Sequence, residues 1–327
     1  MNTIKILLIS IPLFSCLAGL PDAKFTVKVI DQNGVNVTNA TVNAQPRKVI
    51  SKALDIEKIT DTNATVTFHV SSVLPWVNTY INKENYYQSG LAVGLDNFKK
   101  NKLRNRWEPW NETHVITLKE KLNPTPMYAQ TIKWVKFPIL NKPVGYDLEK
   151  GDWVAPYGNG IISDFILNCH NEYPQRGKYL TSFKLTFSNI DDGIQIYNQP
   201  ISDRSQYIWP YLAPENGYNK ELYKVAFSNW KSENSYNAEL FTEAKEHKKR
   251  NYIFRIRTTT DDNGNIISAM YGKIQGDFFV SGAAGGGGFK FTYYLNPTGT
   301  RNLEFDTRNN LFKWNRRQYE RFDLLKP

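Results

Sequence analysis

The feature that most constrains the fold is a long segment of alternating side chains between residues 251 and 280. Its first strand would place Tyr252, Phe254 and Ile256 on one face and Ile253, Arg255 and Arg257 on the other. This period of two is typical of a β-strand with two different faces. An Asn263-Gly264 pair, which tolerates positive φ, then predicts a turn, and residues 266–280 return with β-branched and aromatic side chains. The sequence therefore predicts a β-hairpin at the centre of the second half of the chain.

The even spacing along this hairpin also predicts which side chains are buried together. The four side chains that would enter the core are Phe254, Ile256, Ile274 and Phe278. Arg255 and Arg257 share the opposite face, where we expect substitutions to be tolerated. A bulge at Gly272 or Gly276 would move the side chains beyond it to the opposite faces of the strand.

The glycines at residues 285–288 are followed by a strand pattern and lack the Lys-Ser/Thr pair of a phosphate-binding loop. We therefore expect a flexible reversal there.

Residues 24–120 show the same period of two and predict a β-module, with a turn at residues 31–34. Two patterns, V-x-D-x-x-G…A-x-V in residues 29–42 and T-D-x-N-A-x-V-x-F in residues 60–68, resemble the carboxypeptidase regulatory-like, or transthyretin-like, β-sandwich. In that family a glycine often stands where Asn39 or Ala64 stands here. The resemblance implies that residues 19–121 form a structural or adhesive module, usually appended to other domains and not itself catalytic.

Two prolines in residues 122–126 predict a linker, and residues 127–327 predict a second β-rich domain. Its one helical pattern covers residues 236–249, where Leu240, Phe241 and Ala244 would form an apolar face. Residues 145–156 and 302–306 of this region resemble segments of uncharacterised exported bacterial proteins that join a β-sandwich to a C-terminal β-rich region. This resemblance does not imply an activity. The predicted fold is mostly β, with an N-terminal β-sandwich, a second β-rich domain and one short helix.

Residues 1–18 have the pattern of an export signal, with Lys5 before the apolar residues 6–14. This apolar segment is too short to span a bilayer stably. Two processing routes fit the pattern. Cleavage after Ala18 would release a secreted protein, whereas Leu13-Phe14-Ser15-Cys16 resembles a bacterial lipobox and would place a lipid on Cys16. We expect an exported protein that is periplasmic or extracellular, or alternatively an outer-membrane lipoprotein whose contact with the membrane is a lipid anchor.

The formal net charge of +10 is compatible with anionic glycans or surfaces as partners, and export makes nucleic acid a poor candidate. The chain has two cysteines, and because Cys16 lies in the leader, Cys169 has no partner for an intrachain disulfide. None of the four histidines stands at zinc-ligand spacing from another, and no cofactor motif occurs. We therefore expect no metal and no cofactor.

Four aromatic side chains lie in loops of the second domain, where strand packing dictates orientation less strongly. These predicted ligand-binding residues are Trp153, Tyr157, Trp209 and Tyr211. Flat aromatic faces with polar neighbours suit sugars and peptides alike. The same residue types also close the ends of β-sandwiches, so core packing is the competing interpretation.

The strongest case for an enzyme rests on carboxylates near predicted strand ends. The candidates are Asp191, Asp192, Asp277, Glu304 and Asp306. Two carboxyl groups a few ångströms apart could act as acid and base on a glycosidic bond. The competing interpretation is turn formation and pairing with arginine.

Three functions follow from these patterns. The leading hypothesis is a non-enzymatic exported protein of the bacterial surface or periplasm that binds a glycan or a cell-surface protein through loops of the β-domains. The alternative is an exported hydrolase that acts on polysaccharide with paired carboxylates of the second domain. A third hypothesis is a purely structural part of a surface assembly. Convergence of two carboxylates at an aromatic cleft would distinguish the enzyme from the other two.

Overall fold

The computed structural model describes residues 19–94, 97–199, 204–228, 250–282, 286–313 and 326–327. The regular structure in these ranges consists of β-strands, which confirms the predicted mostly β fold. The export signal with Cys16, the helix predicted over residues 236–249 and Gly285 of the glycine reversal lie outside the described residues. In the described part of the chain, no helix has the length and hydropathy to cross a membrane. The chain divides into two compact units between Glu120 and Lys121.

The first unit packs two main sheets around a shared hydrophobic core. Its strands are β1 (Asp22–Asp31), β2 (Thr41–Gln45), β3 (Arg47–Val49), β4 (Lys52–Ala53), β5 (Ile56–Ile59), β6 (Thr65–Ser71), β7 (Val77–Asn82), β8 (Tyr86–Tyr87), β9 (Ser89–Val93), β10 (Lys99–Asn101), β11 (Arg106–Glu108) and β12 (Glu112–Glu120). One sheet has the order β10-β11-β1-β12-β8 with β6 also paired to β1, and the other has the order β5-β2-β7-β9. Alternate residues of β1 from Ala23 to Val29, including Phe25 and Val27, are fully buried. The period of two seen in the sequence thus produces the buried face.

Three turns of the chain use the same side-chain geometry. In each, one carboxylate oxygen of Asp31, Asp61 or Asp261 accepts hydrogen bonds from the amides two and four residues later, at 2.7–3.0 Å. An aspartate that binds its own following backbone favours a tight reversal. Asn39 and Ala64 have φ of 52° and 58°, a left-handed conformation that glycine adopts most easily.

The second unit is built from two further sheets with a large aromatic and aliphatic core between them. Its strands are β13 (Thr125–Lys136), β14 (Val144–Asp147), β15 (Asp152–Trp153), β16 (Phe165–Gln175), β17 (Lys178–Thr186), β18 (Gly193–Tyr197), β19 (Glu221–Ser228), β20 (Asn251–Thr260), β21 (Ile266–Ser281), β22 (Gly288–Asn296) and β23 (Phe305–Asn310). One sheet has the order β18-β20-β21-β22-β13-β23 and the other has the order β15-β14-β16-β17-β19. The amides of Leu122 and Asn123 donate to Glu304, so the segment that precedes β13 is attached to this unit.

The central hairpin forms as predicted, between β20 and β21. The four side chains that the alternation assigned to the core, Phe254, Ile256, Ile274 and Phe278, are all buried there. The pairing of β21 with β22 is irregular between Gln275 and Phe279, where four steps along β21 match two along β22. Because the two extra residues are an even number, the side-chain alternation continues in phase beyond the irregularity.

The prediction that Arg257 tolerates substitution is contradicted by its surroundings. The register of β20 against β21 shifts between Ile256 and Thr259, and Arg257 has φ of 53° within this irregularity. The irregular backbone directs the Arg257 guanidinium toward the loop between β14 and β16, where it contacts three carboxylates. Strict alternation fails here because a bulge re-aims a side chain.

Candidate functional site

An open groove of about 550 Å³ lies beside the turn of the β20–β21 hairpin, and we call it the Arg255–Arg301 groove. Its lining includes Asp191, Glu215, Arg255, Arg301, Thr260, Asn265, Ile266, Ile267, Ser268 and Tyr271. The volume falls in the range of small-molecule sites, which are usually more apolar than this one. The mixture of charged and hydroxyl groups with the exposed Ile267 suits a ligand that is polar but has some apolar surface.

Arg255 is held rigidly in this groove. Its Nη2 and Nε donate to the backbone oxygen of Asp191 at 2.6 Å and 3.1 Å, and Nη1 donates to the backbone oxygen of Glu215 at 3.1 Å. The guanidinium carbon lies 4.8 Å from the ring centroid of Tyr218, a cation–π distance. The side chain therefore joins two loops and presents a fixed positive charge to the groove.

Three further charged groups, Arg301, Glu215 and Asp191, line the same groove. Arg301 Nη1 lies 3.0 Å from Glu215 Oε1, and the Glu215 side chain is 73% exposed. Among the described residues, the Asp191 carboxylate has one side-chain hydrogen bond, a long one in which Thr260 Oγ1 donates to Oδ2 at 3.5 Å. Its oxygens therefore remain able to accept hydrogen bonds from a ligand. The groove thus combines guanidinium donors with a carboxylate acceptor.

Of the five carboxylates predicted as catalytic candidates, Asp191 lines the groove, and its neighbour Asp192 is turned into the protein. Asp192 accepts hydrogen bonds from the amides of Arg257 and Thr258 at 3.1 Å and 2.9 Å. Burial raises the pKa of the Asp192 carboxyl above its ordinary value, and these donors only partly offset the effect. Its role is to hold the irregular end of β20.

The remaining three candidates each have separate structural partners. Asp277 accepts from Lys224 Nζ and from the Tyr252 hydroxyl, both at 2.6 Å. Glu304 accepts from the amides of Leu122 and Asn123 at 3.0 Å and 2.6 Å, and Asp306 accepts from the Arg308 amide at 3.0 Å. Each of these carboxylates supports local structure.

The carboxylates that do converge were not among the sequence candidates. Around the Arg257 guanidinium, Nε and Nη2 donate to Asp164 at 2.8 Å and 2.9 Å, Nη1 donates to Glu149 at 2.6 Å, and Nη2 lies 3.5 Å from Asp147. We call this set the Arg257 cluster. Burial raises the pKa of Asp164, whereas for Asp147 amide donors from Ile161, Ile162 and Lys150, together with Arg257, outweigh burial and lower the pKa.

The Arg257 cluster fastens the loop between β14 and β16 to the hairpin. The Asp147 and Asp164 side chains are 2% and 0% exposed, which leaves a substrate no access to their oxygens. One feature of the sequence indicated this loop: the compact block of residues 145–156, which contains Asp147 and Glu149. The arginine that completes the cluster lies 93 residues from Asp164 along the chain, so spacing could not reveal it.

The four predicted aromatic residues do not form a common surface. Trp153 packs in the sandwich core against Tyr146 and Phe289, with ring centroids 5.3 Å and 5.8 Å away. Trp209 lies on the side of the β18-β20-β21-β22-β13-β23 sheet that faces away from this core, where its ring stacks on Tyr197 with the centroids 5.4 Å apart. Both indoles are buried, so neither presents a face for a ligand. Tyr211 stacks on Tyr207 at 5.3 Å, and Tyr157 is exposed.

Trp209 helps to enclose a fully buried lysine, a feature that the sequence analysis did not identify. Lys273 Nζ lies 4.8–5.3 Å from the ring centroids of Tyr207, Trp209 and Tyr294. It donates one hydrogen bond to the Leu303 oxygen at 2.7 Å. Burial lowers the pKa of Lys273 well below its ordinary value, against the opposing influence of Glu304. We call this arrangement the Lys273 cage.

Metal-ligating side chains are dispersed in the part of the chain that the structure describes, where no group of three could hold an ion. Cys169 is a free, buried thiol, and burial raises its pKa to about 12. A thiol with that pKa is protonated at neutral pH and is a poor nucleophile.

No protein family and no curated protein matches the chain. Among solved structures, 3-chlorocatechol 1,2-dioxygenase from Rhodococcus opacus 1CP is 12% identical with a TM-score of 0.25, and the match covers 31% of this chain and 60% of the dioxygenase. The major pilin SpaA of Corynebacterium diphtheriae is 9% identical with a TM-score of 0.19, over 77% of this chain and 69% of the pilin. A protein of unknown function from Bacteroides fragilis NCTC 9343 is 10% identical with a TM-score of 0.19, over 84% and 95%. These similarities assign neither a family nor an activity.

Proposed function

We propose that this protein is an exported bacterial surface or periplasmic protein that binds a glycan in the Arg255–Arg301 groove and is not an enzyme. The observation that carries the proposal is the combination of an available Asp191 carboxylate with two guanidinium groups at the wall of one open groove. Sugar hydroxyls both donate and accept hydrogen bonds, so they require acceptors and donors side by side. The groove supplies both.

The charge balance of the groove favours a neutral saccharide. Glu215 offsets Arg301 at 3.0 Å, and Asp191 adds a second negative charge beside Arg255. A groove with near-equal numbers of positive and negative groups does not concentrate ions of one sign. The exposed side chains of Ile266 and Ile267 add apolar surface for the C–H face of a sugar ring.

The first unit would act as the structural or adhesive module that its resemblance to the carboxypeptidase regulatory-like β-sandwich implies. Two observations support this part of the proposal. The unit packs two main β-sheets around a shared core. Asn39 and Ala64, which stand where that family often has glycine, both adopt positive φ.

The hydrolase alternative has less support. A glycosidase needs two carboxyl groups about 5–10 Å apart with access to substrate. Among the five candidates, Asp192, Asp277, Glu304 and Asp306 are held by amides, an ammonium or a hydroxyl group, and Asp191 is the one that lines the groove. The other carboxylate of the groove, Glu215, is paired with Arg301 at 3.0 Å. The proposal is therefore binding without turnover.

A glycan array probed with the purified protein tests this function, followed by titration calorimetry on the glycans that are retained. We expect Asp191→Asn and Arg301→Ala each to weaken binding by about tenfold, because each removes a hydrogen-bonding group that faces the groove. The matched control is Arg308→Ala, which removes an arginine whose side chain is 89% exposed and which does not line the groove.

Three results would contradict the proposal. The array could retain no glycan, or the groove variants could bind as tightly as the unaltered protein. Release of new reducing ends from a bound polysaccharide, lost in Asp191→Asn, would instead support the hydrolase.

The proposed location rests on residues 1–18. Labelling of cells with a palmitate analogue separates the two processing routes. Label that is lost in Cys16→Ala would support the outer-membrane lipoprotein, and unlabelled protein that begins at Gly19 would support secretion. Full-length protein that stays in the cytoplasm would refute export.

A further inference from the structure

Two aromatic side chains are exposed next to each other on the β18-β20-β21-β22-β13-β23 sheet of the second unit. They lie on its outer face, the face that points away from the core between the two sheets. Trp134 of β13 is 42% exposed and Phe279 of β21 is 50% exposed, and their ring centroids are 6.3 Å apart. Between their strands runs β22, whose Lys290 pairs directly with Phe279. The inner face of the same strands carries the buried Phe278, Phe289 and Phe291. The exposed pair is therefore separate from the core.

The backbone is shaped so that Trp134 can lie over the sheet. β13 is irregular between Ile132 and Val135, which places Trp134 in a bulge. Below the indole is Gly288, where an added Cβ would lie only 2.4 Å from the ring. A side chain at residue 288 would have to displace the ring, and its Cβ would also lie 2.9 Å from the Val135 backbone oxygen. Exposed aromatic residues that are positioned in this way are typical of interaction surfaces.

The surroundings of the pair are positively charged. Lys290 Nζ lies 4.5 Å from the centroid of the Phe279 ring, and Lys133 and Lys136 are exposed on the adjacent strand. Within the described residues, these three lysines form no ion pair. The ammonium groups are therefore available to an anionic partner, in a protein whose net charge is already +10. We call Trp134, Phe279, Lys290, Lys133 and Lys136 the aromatic–lysine surface.

We propose that the aromatic–lysine surface is a second binding site, independent of the groove, and that its ligand is an acidic polysaccharide. The rings of Trp134 and Phe279 would stack on the apolar C–H faces of sugar units, and the lysines would pair with carboxylate groups along the polymer. Lysine is depleted at the centres of protein–protein interfaces, so this composition fits a polyanion better than a protein partner. The exposed part of this sheet face, around Trp134 and Phe279, can contact an extended polymer, whereas the groove holds a short segment.

The test is a titration of the full-length protein with polygalacturonate, with dextran as the neutral comparison. We expect Trp134→Ala and Phe279→Ala each to weaken polygalacturonate binding by about tenfold, and Lys290→Gln to weaken it by about threefold. Gly288→Ala should also weaken binding, because it displaces the Trp134 ring without removing it. Thermal melts establish that each variant is folded.

Matched controls separate this site from general electrostatic attraction and from the groove. Tyr157→Ala removes another exposed aromatic ring, and Lys142→Gln removes another exposed lysine of the same unit. Both should bind polygalacturonate like the unaltered protein, as should Arg301→Ala. Loss of binding to neutral glycans in Arg301→Ala, with polygalacturonate binding retained, would distinguish the two sites.

Several outcomes would overturn the proposal. Polygalacturonate could fail to bind, or Lys142→Gln could weaken binding as much as Lys290→Gln, which would indicate nonspecific attraction. Binding that is unchanged in Trp134→Ala would remove the role of the rings. Trp134-dependent sedimentation with anionic phospholipid vesicles, without polygalacturonate binding, would assign the surface to a membrane instead.

Discussion

Lys273 is an ionisable residue whose side chain is buried out of contact with solvent. The Lys273 cage supplies three aromatic faces and one carbonyl oxygen, and the side chain is fully buried. Desolvation disfavours the ammonium form, so the pKa of the folded state is lowered. Between that pKa and the ordinary value of 10.5, the unfolded chain binds a proton that the folded chain does not. Stability should therefore rise with pH through this window.

We predict that this linkage disappears in Lys273→Met, which keeps the length and apolar surface of the side chain. As the pH approaches 10.5 from below, the free energy of unfolding of the unaltered protein should rise relative to the variant, by at most about 1.4 kcal/mol per pH unit. Urea unfolding at several pH values measures this difference. The matched control is the exposed Lys142→Met, whose difference from the unaltered protein should stay constant. A constant difference for Lys273→Met would mean that the ammonium stays charged in the cage.

At the scale of one element, the β20–β21 hairpin combines regular and irregular backbone. Its regular part buries Phe254, whose ring centroid lies 5.2 Å from that of Phe165. Its irregular part turns Arg257 toward Asp164, whose side chain is fully buried. Removal of one partner of a buried ion pair leaves an uncompensated charge and is strongly destabilising. Arg255, by contrast, bonds neutral backbone oxygens at the groove.

We predict that Phe254→Ala and Arg257→Ala each lower the free energy of unfolding by about 3–5 kcal/mol. Arg255→Ala should cost less, about 1 kcal/mol, because it removes hydrogen bonds to neutral groups. Denaturant unfolding of the three variants under the same conditions gives the order. Equal effects of Arg255→Ala and Arg257→Ala would show that the Arg257 cluster does not stabilise the fold. A greater loss from Arg255→Ala than from Phe254→Ala would contradict the assignment of faces.

For the whole molecule, the important fact is that each unit has a core of its own. The core of the first unit is formed by strands between Asp22 and Glu120, and it includes Phe25, Phe68 and Trp107. The second unit, from Lys121 onward, has its own aromatic core. A segment of about 100 residues that closes its own core is large enough to fold independently.

We predict that a fragment of residues 19–120 unfolds cooperatively in urea. Trp107 is a suitable fluorescent probe, because its ring is buried and its Nε1 donates to the Ser72 oxygen at 2.9 Å. Phe25→Ala in the fragment should lower the free energy of unfolding by about 3–5 kcal/mol, whereas substitution of the exposed Lys100 should have little effect. A gradual change of fluorescence without a transition would show that the first unit depends on the second.

The sequence by itself determined the β class, the hairpin between β20 and β21 and the four side chains that this hairpin buries. These features depend on near neighbours, since a period of two and an Asn-Gly turn act over a few residues. The Asx geometry of Asp31, Asp61 and Asp261 has the same local origin. For the same reason, strict alternation misassigned Arg257, where a bulge changes the local direction of the chain.

Only the tertiary structure decided which side chains meet to form a site. Thr131 of β13 and Thr292 of β22 are hydrogen-bonded neighbours although 161 residues separate them, and the same pairing of strands brings Trp134 beside Lys290 and Phe279. Trp153 and Trp209, which resembled ligand-contact residues in sequence, became core residues because other segments cover them. Burial and convergence depend on the order of strands in the sheets, and that order is set by the packing of distant faces rather than by local pattern.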